Sequence, residues 1–344
     1  MKKLKVLIII GFLFFTLSPI PSPLSPIPCP LTPAAHAYWL SPTAGSTAAA
    51  FLKVDVGARP AAMGGAFCAV ASDVSAIHYN PAGLVNVEGR QFYFMHNEWL
   101  QEIRHDFMAY AQTWEQDLPI AINVGDLSIG FTGEKAFGFA IKSMYAYGME
   151  RRANENLNDL TDPQNFFDAL DIAAIFSYSQ RLAKNVSWGV NMKIIQQRID
   201  ADCAYGLAFD IGGLHRLGNN LDLGWAVQNL GAPVQFLSTA FPMPLNFKVG
   251  AAYEVQKWAT LFVFDINQPV DNYLALSAGA EHRYKMLALR GGYEYKLGGN
   301  DLGPLSGLSM GFGLEVYNME IDYAFIPYTE LESYSHRFSL LVKF

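Results

Sequence analysis

The chain has 344 residues, a formal net charge of −7 at pH 7, 51% apolar residues and only 16% charged residues. Soluble domains usually carry about 25% charged residues, so the composition indicates a membrane protein, and its acidic balance is unfavourable for nucleic-acid binding. Beyond the N-terminal region no run approaches the roughly 18 apolar residues of a membrane-spanning helix, so the apolar side chains must be spread by alternation, which favours a β-barrel.

The N-terminus has the three parts of a secretory signal peptide. Three lysines lie within the first five residues, an apolar region runs from Val6 to Leu17, and Ala35-His36-Ala37 is an A-x-A cleavage site. We therefore predict that residues 1–37 are removed on export. The proline-rich stretch from Ser18 to Pro33 leaves the exact cut open.

Residues 38–90 are apolar but small and rich in glycine, unlike barrel strands. Ser72 or Asp73 is the predicted N-cap of a short helix. That helix is expected to end at Asn80, which the following proline holds in an extended conformation, and Gly83 is predicted to supply a turn with positive φ. The segment is interpreted as a plug that packs closely inside the barrel.

From residue 91 onward the apolar side chains alternate with polar ones or glycine, which is the period of a strand. The predicted strands are 91–98, 105–114, 135–147, 168–181, 185–199, 203–216, 220–229, 244–256, 258–267, 272–283, 286–296, 306–317, 318–327 and 335–344. A soluble sandwich would show the same period. Short and long connections alternate between these strands, however, as in outer-membrane barrels with short periplasmic turns and longer external loops.

The sequence thus predicts an all-β fold, a transmembrane antiparallel barrel of residues 91–344 with about 14 strands. The last strand ends on Phe344, which we expect at the periplasmic end where such barrels close. Residues 120–131 read as a further strand, and an odd count does not suit a bacterial barrel. We interpret 115–134 as an insertion on the periplasmic side, such as a short hairpin, with two short strands and a total of 16 as the alternative.

The segment from Gly57 to Leu84 resembles the N-terminal signature of the PorV/PorQ family, within the FadL-like (OmpP1-type) outer-membrane barrels. The matching elements are Gly57-Ala58-Arg59, Ala62-Met63-Gly64-Gly65-Ala66-Phe67, Ala69-Val70-Ala71, Asp73, Ser75-Ala76 and Asn80-Pro81-Ala82-Gly83-Leu84, with a C-terminal likeness in Ile321 to Phe325 and His336 to Leu340. This resemblance implies a 14-stranded barrel with an N-terminal plug, or hatch, in its lumen.

Two sets of residues are candidates for the functional site. The first would fix or gate the plug and consists of Arg59, Asp73, Asn80, Pro81 and Gly83. The second is a polar set facing the lumen and consists of Lys248, Glu281, Arg283, Arg290, Glu294 and Arg337. The second set reads either as a polar conduit or, as we favour, as ion pairs that join strands and plug because buried charges need partners.

No catalytic constellation or metal motif is visible, so no enzyme activity, metal or cofactor is predicted. His78 is interpreted as a buried interior histidine, with pH sensing as the alternative. Cys68 and Cys203 have no metal-ligand spacing, and we expect two buried thiols, with a disulfide left open. The connection 230–243 is apolar and proline-rich, and is expected to fold onto the barrel mouth or to guide hydrophobic ligands.

The resemblance implies an outer-membrane location and one of two functions. The first is passive transport of hydrophobic small molecules, with the plug gating a lateral or axial path. The alternative is a non-transporting partner of a type IX-like secretion system, for which the external loop 148–167 would be a recognition surface. Expected partners are outer-membrane lipids, the barrel-assembly machinery through the strand ending at Phe344, and a hydrophobic ligand or secretion components.

Overall fold

The computed structural model describes residues 45–99, 103–115, 121–124, 127–130, 133–151, 165–297, 305, 307–328 and 333–344. The predicted signal peptide, 1–37, and most of the predicted loop 148–167 lie outside these residues. In the described part of the chain, no helix has the length and apolar character needed to cross a membrane.

The described strands follow the alternating segments of the sequence. In chain order they are β1 (Arg90–Glu98), β2 (Arg104–Glu115), β3 (Ala121–Val124), β4 (Leu127–Gly130), β5 (Glu134–Arg151), β6 (Asn165–Ala183), β7 (Val186–Ile199), β8 (Asp202–Leu217), β9 (Leu221–Gly231), β10 (Val234–Phe236), β11 (Thr239–Phe241), β12 (Asn246–Val255), β13 (Thr260–Pro269), β14 (Ala275–Tyr284), β15 (Leu287–Lys296), β16 (Leu308–Val316), β17 (Met319–Tyr328) and β18 (Ser333–Lys343).

Fourteen of these strands form a closed antiparallel barrel in the order β1-β18-β17-β16-β15-β14-β13-β12-β9-β8-β7-β6-β5-β2. Closure is made by β1, which pairs with β18 from Gln91↔Lys343 to Glu98↔His336 and with β2 on its other side. The predicted count of 14 is confirmed. The extra alternation near residue 120 belongs to the hairpin β3–β4, whose strands of four residues pair only with each other.

The side chains of the barrel strands alternate between a buried inner face and an exposed outer face. In β7, for example, Asn191 and Lys193 are buried, whereas Met192 and Ile194 are exposed. The exposed set on the barrel strands is dominated by Phe, Leu, Ile, Met and Tyr. The outer wall is therefore apolar and the inner wall largely polar, the reverse of a soluble barrel.

The two ends of the barrel differ in their connections. The end at which β1 begins and β18 finishes, called here the turn end, carries the short turns 184–185, 218–220, 285–286 and 317–318. The opposite end, called here the loop end, carries the connection 232–245. The four short turns at the turn end and the longer connection 232–245 at the loop end follow the predicted alternation. The two-residue turn 200–201 at the loop end and the β2–β5 connection at the turn end, which contains β3–β4, depart from it. Phe344 lies at the turn end.

Residues 45–89, called here the plug, lie inside the barrel. They contain α1 (Ala58–Ala62), α2 (Ala76–Tyr79) and two 3₁₀ helices, Ala50–Lys53 and Pro81–Asn86, and a further 3₁₀ turn, Gln256–Trp258, connects β12 to β13. At one end of the plug, the Thr47 hydroxyl donates to Asp271 (2.7 Å) near the loop end. At the other end Gly89 leads into β1 at the turn end. The plug therefore traverses the lumen.

Three local predictions, two in the plug and one in β8, are wrong. Gly83 does not have a positive φ; it is glycine because a β-carbon there would lie 2.9 Å from the Ala71 carbonyl carbon and closer still to the Ala71 oxygen. The residue before α2 is Ser75, and Asp73 instead accepts hydrogen bonds from its N–H and hydroxyl. Cys203 is exposed at the start of β8, and only Cys68 is buried.

Candidate functional site

The plug rests on a ring of inward-facing glycines in the barrel wall. A β-carbon at any of these positions would come too close to plug atoms, within about 3.1 Å in each case. The eight glycines, each on a different strand, are Gly138, Gly189, Gly212, Gly224, Gly250, Gly279, Gly292 and Gly311. They face two stretches of the plug, residues 62–69 and 77–84, so these stretches lie directly against the wall backbone.

Wall side chains also satisfy the backbone of the first of these stretches. The Asp265 carboxylate accepts hydrogen bonds from the N–H groups of Phe67 and Cys68, both at 2.9 Å. The Ser309 hydroxyl accepts from Gly64 N–H (2.9 Å) and donates to the Ala62 carbonyl (3.1 Å). Because buried backbone groups need partners, these wall side chains fix where the glycine-rich turn of the plug can lie.

Asn80 and Pro81 occupy the centre of the second stretch. The Asn80 amide donates to the carbonyls of Cys68 (2.9 Å) and Gly213 (3.2 Å), and its side-chain oxygen accepts from Ala82 N–H (3.1 Å). Asn80 is extended, with φ −158° and ψ 104°, as expected before proline. Asn80 therefore joins both plug stretches and the wall strand β8 through one side chain.

Arg59 joins the plug to the wall near the turn end. Its Nε and Nη2 donate to the two oxygens of Glu281 on β14, at 2.8 and 3.0 Å, and its Nη1 donates to Asp73 at 3.1 Å. Glu281 also accepts from Arg290 (2.7 Å) and Arg283 (2.9 Å). A bidentate guanidinium–carboxylate pair is among the stronger and more directional ion pairs, so this group holds the plug in register with β14.

The ion pairs continue along the wall from this point. Arg290 binds Glu320 (2.8 Å) and Asp322 on β17, and Arg283 reaches Glu315 and Glu320 at 3.4 Å. Together with Arg59, Asp73 and Glu281 they form a network called here the arginine cluster. The structure thus brings together five of the predicted site residues, namely Arg59, Asp73, Glu281, Arg283 and Arg290.

The other predicted residues make their contacts elsewhere. Lys248 Nζ lies 5.1 Å from the centre of the Tyr79 ring, and Arg337 donates to the Asp55 carbonyl at 3.0 Å, so both still hold the plug. Glu294 pairs with Lys296 at 3.0 Å and is not part of the arginine cluster. The polar residues predicted to face the lumen therefore mainly contact the plug and the neighbouring wall strands. They do not form a polar lining along which a solute would pass.

A second polar cluster, centred on Lys193 of β7, was not predicted as a site. Lys193 forms a buried ion pair with Asp210 (2.7 Å) and donates to Asn229 (2.7 Å). Asn191 donates to Asp210 and to the Ile77 carbonyl, each at 2.7 Å, and Gln228 donates to the His78 carbonyl, also at 2.7 Å. The cluster thereby satisfies carbonyl groups of α2.

The period-two alternation of β7 is enough to place Asn191 and Lys193 on the lumen face. The partner residues could not be found in the same way, because Asp210 lies at an interruption of the β8–β9 ladder, between the pairs Phe209↔Leu230 and Ile211↔Val227. There the Asn229 N–H donates to the Asp210 carboxylate at 2.7 Å. A period of two does not reveal such an irregularity.

His78 lies in the plug and not in a strand. Burial lowers the pKa of His78 well below its usual value, and the nearby ammonium groups of Lys142, Lys248 and Lys193 lower it further. The imidazole is therefore neutral at neutral pH, which agrees with the interpretation of His78 as an interior histidine.

Near the loop end the lumen holds a buried apolar cluster beside buried polar side chains such as Lys142, whose Nζ donates to the Leu52 carbonyl at 3.1 Å. Phe51 and Leu52 of the plug belong to the same buried cluster as Phe107 of β2 and Ile195 of β7. Val234, the first residue of β10, and Met243, which follows β11, are buried in this cluster too, and Ala48 N–H donates to the Pro242 carbonyl at 2.9 Å. The connection 230–243 thus folds onto the barrel mouth, over the leading part of the plug.

Within the described part of the chain, no group of three or more His, Cys, Asp or Glu residues is arranged to hold a metal ion.

A family model described as "Uncharacterised protein family (UPF0164)" matches residues 41–206 of this chain. A search of curated protein sequences finds no match.

Solved structures with the same fold include a transporter, a channel and a FadL homologue. The toluene transporter TodX of Pseudomonas putida shares 13% identity with a TM-score of 0.54, covering 84% of this chain and 97% of that chain. The CymD monoaromatic hydrocarbon channel shares 12% identity with a TM-score of 0.54, covering 85% and 98%. A FadL homologue of Pseudomonas aeruginosa shares 12% identity with a TM-score of 0.50, covering 83% and 97%. At such identity the likeness establishes a FadL-like barrel fold.

Proposed function

We propose that this chain is an integral outer-membrane barrel that lets hydrophobic small molecules cross the membrane passively, with the plug as the gate. The apolar outer wall and the closed hydrogen-bonded barrel support the membrane location, because a lipid-exposed sheet must leave no open edge. Two of the similar structures are described as a toluene transporter and a monoaromatic hydrocarbon channel. The turn end would face the periplasm.

The observation that carries the proposal is the buried apolar cluster around the leading part of the plug. A pore for polar solutes has a polar, water-filled interior, whereas this part of the lumen is filled and includes the buried apolar side chains of Phe107, Ile195, Val234 and Met243 beside the buried Lys142. Phe51 and Leu52 of the plug occupy the space between these elements. Movement of this part of the plug would expose apolar surface to the outside, which favours hydrophobic compounds as the transported class.

Uptake by whole cells tests this function. The full-length protein is produced in a Gram-negative host that lacks channels of this fold, and initial uptake of radiolabelled toluene is compared with that of radiolabelled glucose. We expect increased uptake of toluene only. Phe51→Ala should raise toluene uptake further because it opens space in the apolar cluster, whereas Phe94→Ala, on the exposed outer face of β1, should not.

Correct insertion is checked by the electrophoretic shift of the folded barrel on heating. A correctly inserted protein that leaves toluene uptake at the level of the empty host contradicts the transport proposal.

A second candidate function is that of a partner in type IX-like protein secretion. The close packing of the plug against the glycine ring favours this function. A barrel whose lumen is filled can bind a partner protein, whereas a channel needs an open path. Co-purification of secreted substrate proteins with the detergent-extracted barrel would support this function. Release of the same proteins at an unchanged rate after deletion of the gene would count against it.

A further inference from the structure

A cavity of about 1090 Å³, called here the vestibule, opens at the turn end of the barrel. Its roof is the plug, through Arg59, Ser72 and Asp73. Its sides are the turn 184–185, the turn 218–220 and Gln256 of the 3₁₀ turn. Because the arginine cluster closes the roof with ion pairs, the vestibule ends at the plug and does not continue into the apolar part of the lumen.

The lining of the vestibule combines three kinds of surface. Amide side chains supply paired donors and acceptors, and they belong to Asn86, Gln91, Asn185, Asn219, Asn220 and Gln256. Both signs of charge are present at the rim, with Lys184 on one turn and Glu88 and Glu254 elsewhere. Val70, Leu261 and Leu341 add apolar surface.

This combination matches one class of ligand better than others. Mixed charge disfavours a polyanion or a polycation, and the apolar patch disfavours a simple sugar. Small-molecule pockets have volumes of roughly 300–1,000 Å³, so the vestibule is at or above the upper limit of that range. An extended peptide presents alternating backbone donors and acceptors, charged side chains of both signs and apolar side chains, all of which the lining can meet.

We propose that the vestibule is a docking site for an extended polypeptide segment of a periplasmic protein. The proposal uses the orientation given above, with the turn end in the periplasm, but it does not depend on transport. The segment binds against the wall turns and the underside of the plug, with Lys184 and Glu254 facing its charged side chains. It would bind a periplasmic partner while the lumen stays closed.

Binding to an unfolded model protein tests this inference. The full-length barrel is placed in lipid nanodiscs, and the probe is fluorescein-labelled, reduced and carboxymethylated α-lactalbumin, which is permanently unfolded. Fluorescence anisotropy should show saturable binding of this probe. The same protein with its native fold should not bind, and neither should the probe bind to empty nanodiscs.

Two adjacent residues provide a matched pair of variants. Gln256 lines the vestibule and Lys257, its neighbour in the same 3₁₀ turn, does not. Gln256→Trp fills the vestibule and should weaken binding roughly tenfold or more, whereas Lys257→Trp should leave it unchanged. If Gln256→Trp fails to fold, Asn185→Trp takes its place. Asn185 lines the vestibule from a different turn, and its replacement by Trp should weaken binding of the probe to the same extent.

The inference is overturned by absence of saturable binding, by equal loss in the Gln256 and Lys257 variants, or by full competition from glycylglycine, which would indicate a site for small zwitterionic solutes. Because toluene uptake is measured separately, failure here is distinct from failure of the transport proposal.

Discussion

Gly292 of β15 lies directly against Met63 of the plug, so closely that a β-carbon on Gly292 would stand 2.6 Å from the Met63 Cα and nearer still to its carbonyl carbon. Gly291, the preceding residue, points to the other face of the strand and has open space around the position of a β-carbon. Glycine thus has two different roles at these adjacent positions. Only Gly292, on the inner face, leaves the space that the plug backbone occupies.

Gly292→Ala is therefore expected to destabilise the folded protein, while Gly291→Ala is not. Forcing an extra methyl group into a packed interface costs roughly 1–3 kcal/mol, and a substitution at an open surface position usually changes stability by less than about 0.5 kcal/mol. Guanidinium unfolding of both variants in lipid vesicles measures the free energies. Equal stabilities would mean that the plug does not rest on β15 as described.

Arg59→Ala should loosen the plug. Arg59 is the guanidinium that connects the plug to Glu281, whereas Arg283 contacts the same carboxylate from the wall. Cells that produce Arg59→Ala are expected to become more sensitive to vancomycin, which an intact outer membrane excludes, and cells with Arg283→Ala are expected to resemble the wild type. Equal vancomycin sensitivity of the Arg59→Ala and Arg283→Ala strains would show that Arg59 does not hold the plug in place.

Lys193→Ala should be strongly destabilising, although Lys193 reads in the sequence as an ordinary polar residue of the lumen. Removal of the ammonium leaves Asp210 as a buried unpaired carboxylate, with both side chains at 2% exposure or less, and breaking such a pair costs about 3–5 kcal/mol. The double variant Lys193→Met with Asp210→Asn should recover part of the loss, because no buried charge then remains. Denaturation of the single and double variants measures this, and a silent Lys193→Ala would contradict the buried pair.

The barrel could be predicted from the sequence because each strand carries its own evidence. Alternation in a segment such as β12 depends only on which face meets lipid and which meets the lumen, so strand count, facing and order follow from local pattern. The hairpin β3–β4 shows the limit, since it alternates equally well but its strands of four residues are too short to span a membrane.

The contacts between plug and wall could be predicted only in part, because they are set by residues distant in the chain. Asn80 and Pro81 were recognisable from their motif, and Arg59, Glu281 and Arg290 from their charge. The role of Gly292 depends on where residue 63 comes to rest, and the correct reason for Gly83 is the position of Ala71. Local conformational preferences do not contain that information.

Val190→Arg tests the assignment of the outer face to lipid. Val190 pairs with Tyr178 and Ile211 on the neighbouring strands, near the middle of the apolar wall. A charged side chain at the centre of the lipid-facing surface costs roughly 2–4 kcal/mol, and the volume-tolerant change Val190→Leu should cost less than about 1.5 kcal/mol. Unfolding from vesicles compares the two. If Arg is tolerated as well as Leu, the outer wall is not embedded in hydrocarbon.

Phe344→Ala tests whether the end of β18 is read during assembly. The Phe344 N–H donates to the Arg90 carbonyl at 2.8 Å, which helps to close the barrel, but the ring itself is 74% exposed. Loss of the ring alone should therefore leave the stability of the folded barrel almost unchanged. If assembly machinery recognises the terminal aromatic residue, the amount of heat-modifiable protein in the outer-membrane fraction should nevertheless fall in cells, while purified Phe344→Ala still refolds into vesicles. Wild-type amounts in the outer membrane would show that the closing strand is recognised by other features, and failure in vesicles as well would assign the ring a structural role.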